Sequence, residues 1–470
     1  MKHSLNLSSS NIIKENNVQE KYDYKRGARG RESCKFIFCL VSLILFIFAF
    51  IFIFVIHPNI IDKKDDKKRK ISGADLANAK YNTILKLNNI VYPLRRNNYI
   101  YKEEYLSSFY NFTYIFFTKS NFKDFSPISL YNVLINVYMG ISDEELSKKL
   151  NNILGLNETE RILFYSQIIQ NNYFNDSKTE IKISNGGFYN SDIVTENKSY
   201  VDKLTETYTE CYKLSYEKNF DNLLDWINKA VKDNNFINKE AFKNLDKTNL
   251  LLFSTIYYQQ KWKYEFIDSK IYKGPFYINS NEKKEITFMN HIYIIDYYYD
   301  YEDYYSFFDF YSNEYIINYL VPKSINKNIL DLIKDKNFLI EDEAVKEEDI
   351  AIDLSVPKFK REINLDISPI LKELGLDKLF NESYSTFNHP FIVENKKNYY
   401  LNQIFHKNII ELNEDGTAIK SIKHESSSNM IGNTLEMNAL KIKLDRPFIY
   451  IIKDKNKLPI FIGYIDNPTE

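Results

Sequence analysis

The chain has 470 residues, 44% of them hydrophobic, and a formal net charge of −1. That describes a globular protein with room for one large domain or two ordinary ones, and it leaves no basic surplus for binding nucleic acid. Asn, Lys, Ile and Tyr are over-used along the whole length, so the bias reads as AT-rich coding and carries no local functional message.

Residues 1–35 form a polar, basic tail. Phe36–Ile56 (FIFCLVSLILFIFAFIFIFVI) is a run of 21 residues without a charge. At 1.5 Å per residue it matches a hydrocarbon core of about 30 Å, and with 35 residues before it and no A-x-A after it, it predicts an uncleaved signal anchor. Six Lys/Arg lie on the N-terminal flank (Lys21, Lys25, Arg26, Arg29, Arg31, Lys35) and six on the other (Lys63, Lys64, Lys67, Lys68, Arg69, Lys70), so the positive-inside rule returns a tie. A short tail before one span and a large domain after it place the domain on the lumenal or extracellular side. Residues 57–100 then read as a basic stalk and linker.

From residue 101 to 470 helical and strand patterns alternate without a βαβ rhythm, which predicts one α+β domain with antiparallel or mixed sheets. Helices are expected over 103–117, 129–140, 222–236 and 365–376, and strands over 249–259, 314–321 and 349–359. The tyrosine-rich block 294–316 reads as a hairpin or strand edge. Near the C-terminus, strands IIEL, RPFIYII and LPIFIGYI enclose an acidic-glycine turn and a long polar stretch ending in SSSNMIGNT. Loops longer than about 12–15 residues are uncommon and usually functional or disordered.

Conventional catalytic chemistry is absent from the pattern. None of six histidines sits in HExxH, and no GxSxG elbow, phosphate loop or dinucleotide glycine pattern occurs. Of three cysteines, Cys34 and Cys39 flank or enter the apolar run and Cys211 stands alone, so neither a disulfide framework nor a metal spacing can be assembled. The reading is a protein that is not an enzyme and has no cofactor. Asn-x-Ser/Thr sequons begin at Asn111, Asn157, Asn175, Asn197 and Asn381, the acceptor pattern of a glycoprotein.

Five stretches together resemble the serpin family: FSPISLYNVLINVYMGISDEEL (125–146), NLLLFSTIYYQQKWKYEF (249–266), IDLSVPKFKREINLDISPILKELGLDKLF (352–380), QIFHKNIIELNEDGT (403–417) and RPFIYIIKDKNKLPIFIGYIDNP (446–468). The resemblance implies three β-sheets, eight to nine helices and an exposed reactive-centre loop, here about 414–440, offered to a serine protease of chymotrypsin or elastase type or to a cysteine protease. It implies a monomeric suicide substrate whose cleaved loop enters the central sheet as an added strand. Glu414, Gly416 and Thr417 match the family's hinge, and Ala418 is small. Counting forward from Gly416 puts the scissile bond at Met430–Ile431, the better bait; counting back from Pro447 puts it at Glu436–Met437. Ser126, Ser129 and His406 match the polar cluster where the sheet parts, Ser254 stands where the family has asparagine, and Trp262 matches the tryptophan where insertion begins. Ile419, Lys420 and Lys423 depart from the small residues expected after the hinge, because an unpaired buried lysine costs several kcal/mol. The alternative is therefore a non-inhibitory binding or structural member.

Overall fold

In the computed structural model the described residues are 84–468, apart from 176–178, 234–235, 243–244, 265, 267–269, 296–297, 312–313, 341–349, 395–396, 403 and 419–438. The apolar run 36–56 lies outside them. Among the described residues no helix is long and apolar enough to cross a membrane.

Helix α1 (Glu103–Lys119) turns Tyr105, Phe109, Phe112 and Phe116 inward at three- and four-residue spacing. Helix α2 (Pro127–Gly140) starts at Ser126, whose hydroxyl caps the Ser129 amide, with proline at the first helical position where its missing N–H is no loss. Its apolar residues run all round, and every residue but Tyr138 is buried, so α2 is the central post of the domain. Asp143 caps α3 (Glu144–Leu154), and Gly155, at φ +61, ends it. Asn157 and Glu160 form a capping box for α4 (Glu158–Asn172), and Asn197 caps α5 (Lys198–Glu206), so two of the sequon asparagines are engaged as helix caps. Helix α6 (Phe220–Ala230) and two single turns, α7 (Ile329–Leu332) and α8 (Ser368–Leu371), make eight α-helices among the described residues.

The described residues form three sheets. The largest has β1 (Leu85–Lys86), β2 (Phe174–Asn175), β3 (Thr179–Asn190), β4 (Thr209–Leu214), β5 (Leu250–Gln260), β12 (Phe359–Asp366), β13 (Phe405–Asn413) and β14 (Gly416–Ala418), in the order β1-β4-β3-β5-β14-β13-β12, with β2 paired to β3. A second, of order β15-β11-β7-β6, uses β6 (Ile271–Tyr277), β7 (Lys283–Ile295), β11 (Ile350–Pro357) and β15 (Leu440–Lys443). The third, β17-β16-β10-β9-β8, uses β8 (Tyr299–Asp300), β9 (Tyr304–Phe310), β10 (Ile316–Pro322), β16 (Phe448–Lys453) and β17 (Pro459–Ile465). Helix α2 packs against β3 and β5 of the largest sheet and β17 of the third. Alternate residues of β5 serve two cores. Ile256 and Tyr258 join the main core around α2, while Phe253 and Tyr257 join a smaller one with Leu223 and Ile227 of α6.

Three expectations are adjusted. The 222–236 helix ends at Ala230, where Lys232 takes φ +54. The 365–376 helix gives up Leu365 to β12, paired with His406, and continues from α8 into a wider π-type turn (Lys372–Leu376) interrupted at Gly375, φ +84. The large sheet begins within the segment read as linker, since β1 pairs with β4.

Arg161 is fully buried and ties the α3–α4 turn. Its guanidinium donates to Asn151 Oδ1 (2.9 Å), Gly155 O (3.2 Å) and Leu156 O (3.0 Å) and lies over the Tyr138 ring. Arg161→Ala strips donors from three acceptors at about 1 kcal/mol or more each. Urea unfolding should therefore report a loss of about 3 kcal/mol.

Candidate functional site

The chain leaves β13 at Asn413, whose side-chain oxygen accepts from the Asp415 amide at 3.1 Å, and reverses through Glu414–Asp415. Gly416 makes the reversal at φ +134, with a Cβ position that the Gln260 carbonyl already fills, so only glycine fits. The next residues then pair with β13 (Leu412 with Thr417, Glu411 with Ala418) and with β5 (Thr417 with Gln260). β14 is antiparallel to both neighbours and sits between them, at the end of β5. A Glu414–Lys358 ion pair at 2.7 Å, partly exposed on both sides, pins the turn.

Trp262 follows β5 directly. Its indole N–H donates to the Asn413 carbonyl at 2.8 Å, its ring stacks on Tyr311 with centroids 4.7 Å apart, and Phe266 meets it edge-on. It thus clamps the last carbonyl of β13 to the end of β5, where the hinge enters.

At the start of α2, Ser126, Ser129 and His406 come together. The Ser126 amide donates to His406 Nε2 at 3.2 Å, and the Ser129 hydroxyl donates to the Ser126 carbonyl at 3.4 Å. Because Nε2 accepts, the neutral imidazole carries its proton on Nδ1. Burial pushes the His406 pKa down to about 3, and the positive end of α2 beside it also disfavours the imidazolium. Two residues upstream, Asp124 is buried and accepts from Tyr450 at 2.9 Å. Burial lifts it to about 6, and the neighbouring Arg361 guanidinium opposes that rise.

Ser254 is buried on the same side of β5 as Ile256 and Tyr258, but its hydroxyl donates to Asn185 Oδ1 at 2.7 Å. Asn185, on β3, in turn donates to the Tyr165 hydroxyl at 3.0 Å and to the carbonyls of Thr207 and Tyr208. Sequence reasoning missed Asn185, which lies 69 residues from Ser254; its position on the alternating face of β3 that otherwise carries the core residues Ile181, Ile183 and Tyr189 is the signal that could have exposed it. Met430, Ile431, Glu436, Met437, Ile419, Lys420 and Lys423 lie outside the described residues, and for Thr417 and Ala418 the backbone alone is described.

Three β-sheets, with the three residues of β14 paired between β5 and β13 in the largest of them, define an α+β fold class. The Serpin (serine protease inhibitor) family model matches residues 82–468, and the chain belongs to that family. Serpin B5 of Xenopus laevis is 29% identical over 258 residues, covering 52% of this chain and 64% of that protein. The crystal structure of native tengpin, a thermophilic serpin, superposes with a TM-score of 0.66 at 19% identity, covering 81% of this chain and 97% of tengpin. Human thyroxine-binding globulin complexed with thyroxine superposes with a TM-score of 0.64 at 19% identity, covering 79% of this chain and all of that one.

Two outcomes are expected here. Gly416→Ala places a methyl group against the Gln260 carbonyl, so hydrogen exchange at the Thr417 and Ala418 amides should accelerate as β14 leaves the sheet. For His406 the folded pKa lies below the unfolded one, so its contribution is complete above pH 6.5 and is lost as pH falls towards about 3. Relative to His406→Gln, the wild type should lose about 1.4 kcal/mol of unfolding free energy per pH unit across that window.

Proposed function

We propose that the chain is a membrane-anchored protease inhibitor that works as a suicide substrate, cleaved in residues 419–438 and trapping its protease as the new N-terminal side of the cut enters the large sheet. The observation that carries this reading is β14, three residues already paired between β5 and β13. Strand addition completes backbone hydrogen bonds along both neighbours, and the protease supplies the nucleophile. Met430–Ile431 is the proposed scissile bond, with Glu436–Met437 as the second candidate, and an apolar or methionine-accepting serine protease is the proposed partner. The domain is proposed to be monomeric, lumenal or extracellular, held by residues 36–56 and glycosylated on its sequons.

A specific register favours a second reading, a non-inhibitory member that binds or scaffolds. Extending the β14 pairing down the sheet puts Ile419 opposite Tyr258 and Ile410, and Lys423 opposite Ser254 and His406. Residues directly opposite in a sheet share a face, so the Lys423 ammonium would enter the buried cluster beside an imidazole that resists protonation. An uncompensated buried ammonium costs several kcal/mol.

Cleavage at Met430 by a non-target protease, followed by thermal unfolding, separates the two. A large rise in midpoint supports insertion and the inhibitory reading. An unchanged midpoint in the wild type with a rise in Lys423→Ser supports the second, with Lys423 as the stop. No rise in either sinks insertion altogether.

A further inference from the structure

Among the described residues thirteen large hydrophobic side chains are exposed, and six of them lie within residues 84–100. The three most exposed are Leu94 (104%), Val91 (86%) and Ile100 (85%). Two sets of contacts fix this segment to the domain and leave its tip outside. On one side the Asn88 side chain donates to Thr205 Oγ1 (2.9 Å) and accepts from the Cys211 amide (2.7 Å), and Tyr92 stacks on Tyr173 with centroids 4.4 Å apart. On the other, Arg96 donates to the Asn171 carbonyl at 2.9 Å with its guanidinium over the Tyr315 ring, and the Asn97 amide donates to the Gln170 carbonyl at 2.9 Å. The short stretch between these ties presents Val91, Leu94 and the exposed Arg95.

We propose that this tip is a membrane-docking element, with Val91 and Leu94 entering the interfacial layer of an anionic bilayer and Arg95 meeting its phosphate groups. Apolar side chains next to a cation suit that layer, where the guanidinium stays hydrated while the hydrocarbon leaves water. The length of chain outside the described domain selects this occupant. Only residues 57–83 separate the apolar run from the first described residue, and they carry the basic cluster Lys63–Lys70. A tether of that length gives the domain an effective concentration at the bilayer of millimolar order, so a contact too weak to recruit a free protein holds a tethered one in a fixed orientation. The inference rests on the anchored reading above.

The test uses the full chain with Cys34→Ser and Cys39→Ser, and an environment-sensitive fluorophore on Leu94→Cys. It is reconstituted in vesicles of phosphatidylcholine and phosphatidylserine. The expected result is co-flotation with the vesicles, blue-shifted emission and loss of intensity to a nitroxide on the lipid acyl chain, none of which optical change appears with the fluorophore on Tyr384→Cys. With the fluorophore moved to Ile100→Cys, the pair Val91→Asn and Leu94→Asn should abolish the lipid quenching. Flotation with a solvent-exposed fluorophore overturns docking and leaves the anchor intact. Absence of flotation overturns the anchor and docking together. Protection from aqueous iodide without lipid quenching overturns docking in favour of cover by residues 57–83 or a second copy.

Discussion

Three residues of backbone pairing govern how the rest of this molecule is read. β14 forms its hydrogen bonds to two long strands at once, and it reaches them because the chain turns at a glycine with the Gln260 carbonyl where a side chain would be. A β-sheet edge is a template for whatever strand comes next. Here the three residues of β14 take up pairing positions between two strands of one sheet. Trp262 closes the entrance by binding the last carbonyl of β13, so the hinge, the clamp and the reversal form one unit within a few residues.

Below that entrance the sheet rests on α2, and the contact between them is polar in an apolar setting. His406, Ser126 and Ser129 satisfy one another where β13 meets the helix start, and Ser254 and Asn185 do the same across β5 and β3. The first set ties β13 to the start of α2, and the second ties β5 to β3. They also demand full satisfaction, because each buried polar group left alone is penalised.

Much of this was legible in the sequence. The helix read over 129–140 and the strand read over 249–259 are present within one or two residues of where the sequence places them, and the strand read before the acidic-glycine turn is present as β13. Other features were hidden for physical reasons. Leu365 fits a helical spacing as well as a strand spacing, and its pairing with His406 decides between them. The early end of α6 depends on a positive φ at a lysine, which no propensity announces. The partner of Ser254 depends on a neighbouring strand remote in sequence. The anchor run was read from its length and composition and the bait residues from what the family resemblance implies, and both stand as proposals.

Asp124 and His406 titrate in opposite senses, and their neighbourhood behaves accordingly towards acid. Between about 3.8 and 6 the folded domain holds a proton on Asp124 and none on His406, whereas the unfolded chain holds one on the histidine and none on the aspartate. Folding therefore exchanges no net proton through these two sites, and their joint effect on stability is flat across that range. In a mildly acidic compartment these two groups together would leave the stability of their neighbourhood unchanged, although each taken singly would register the change.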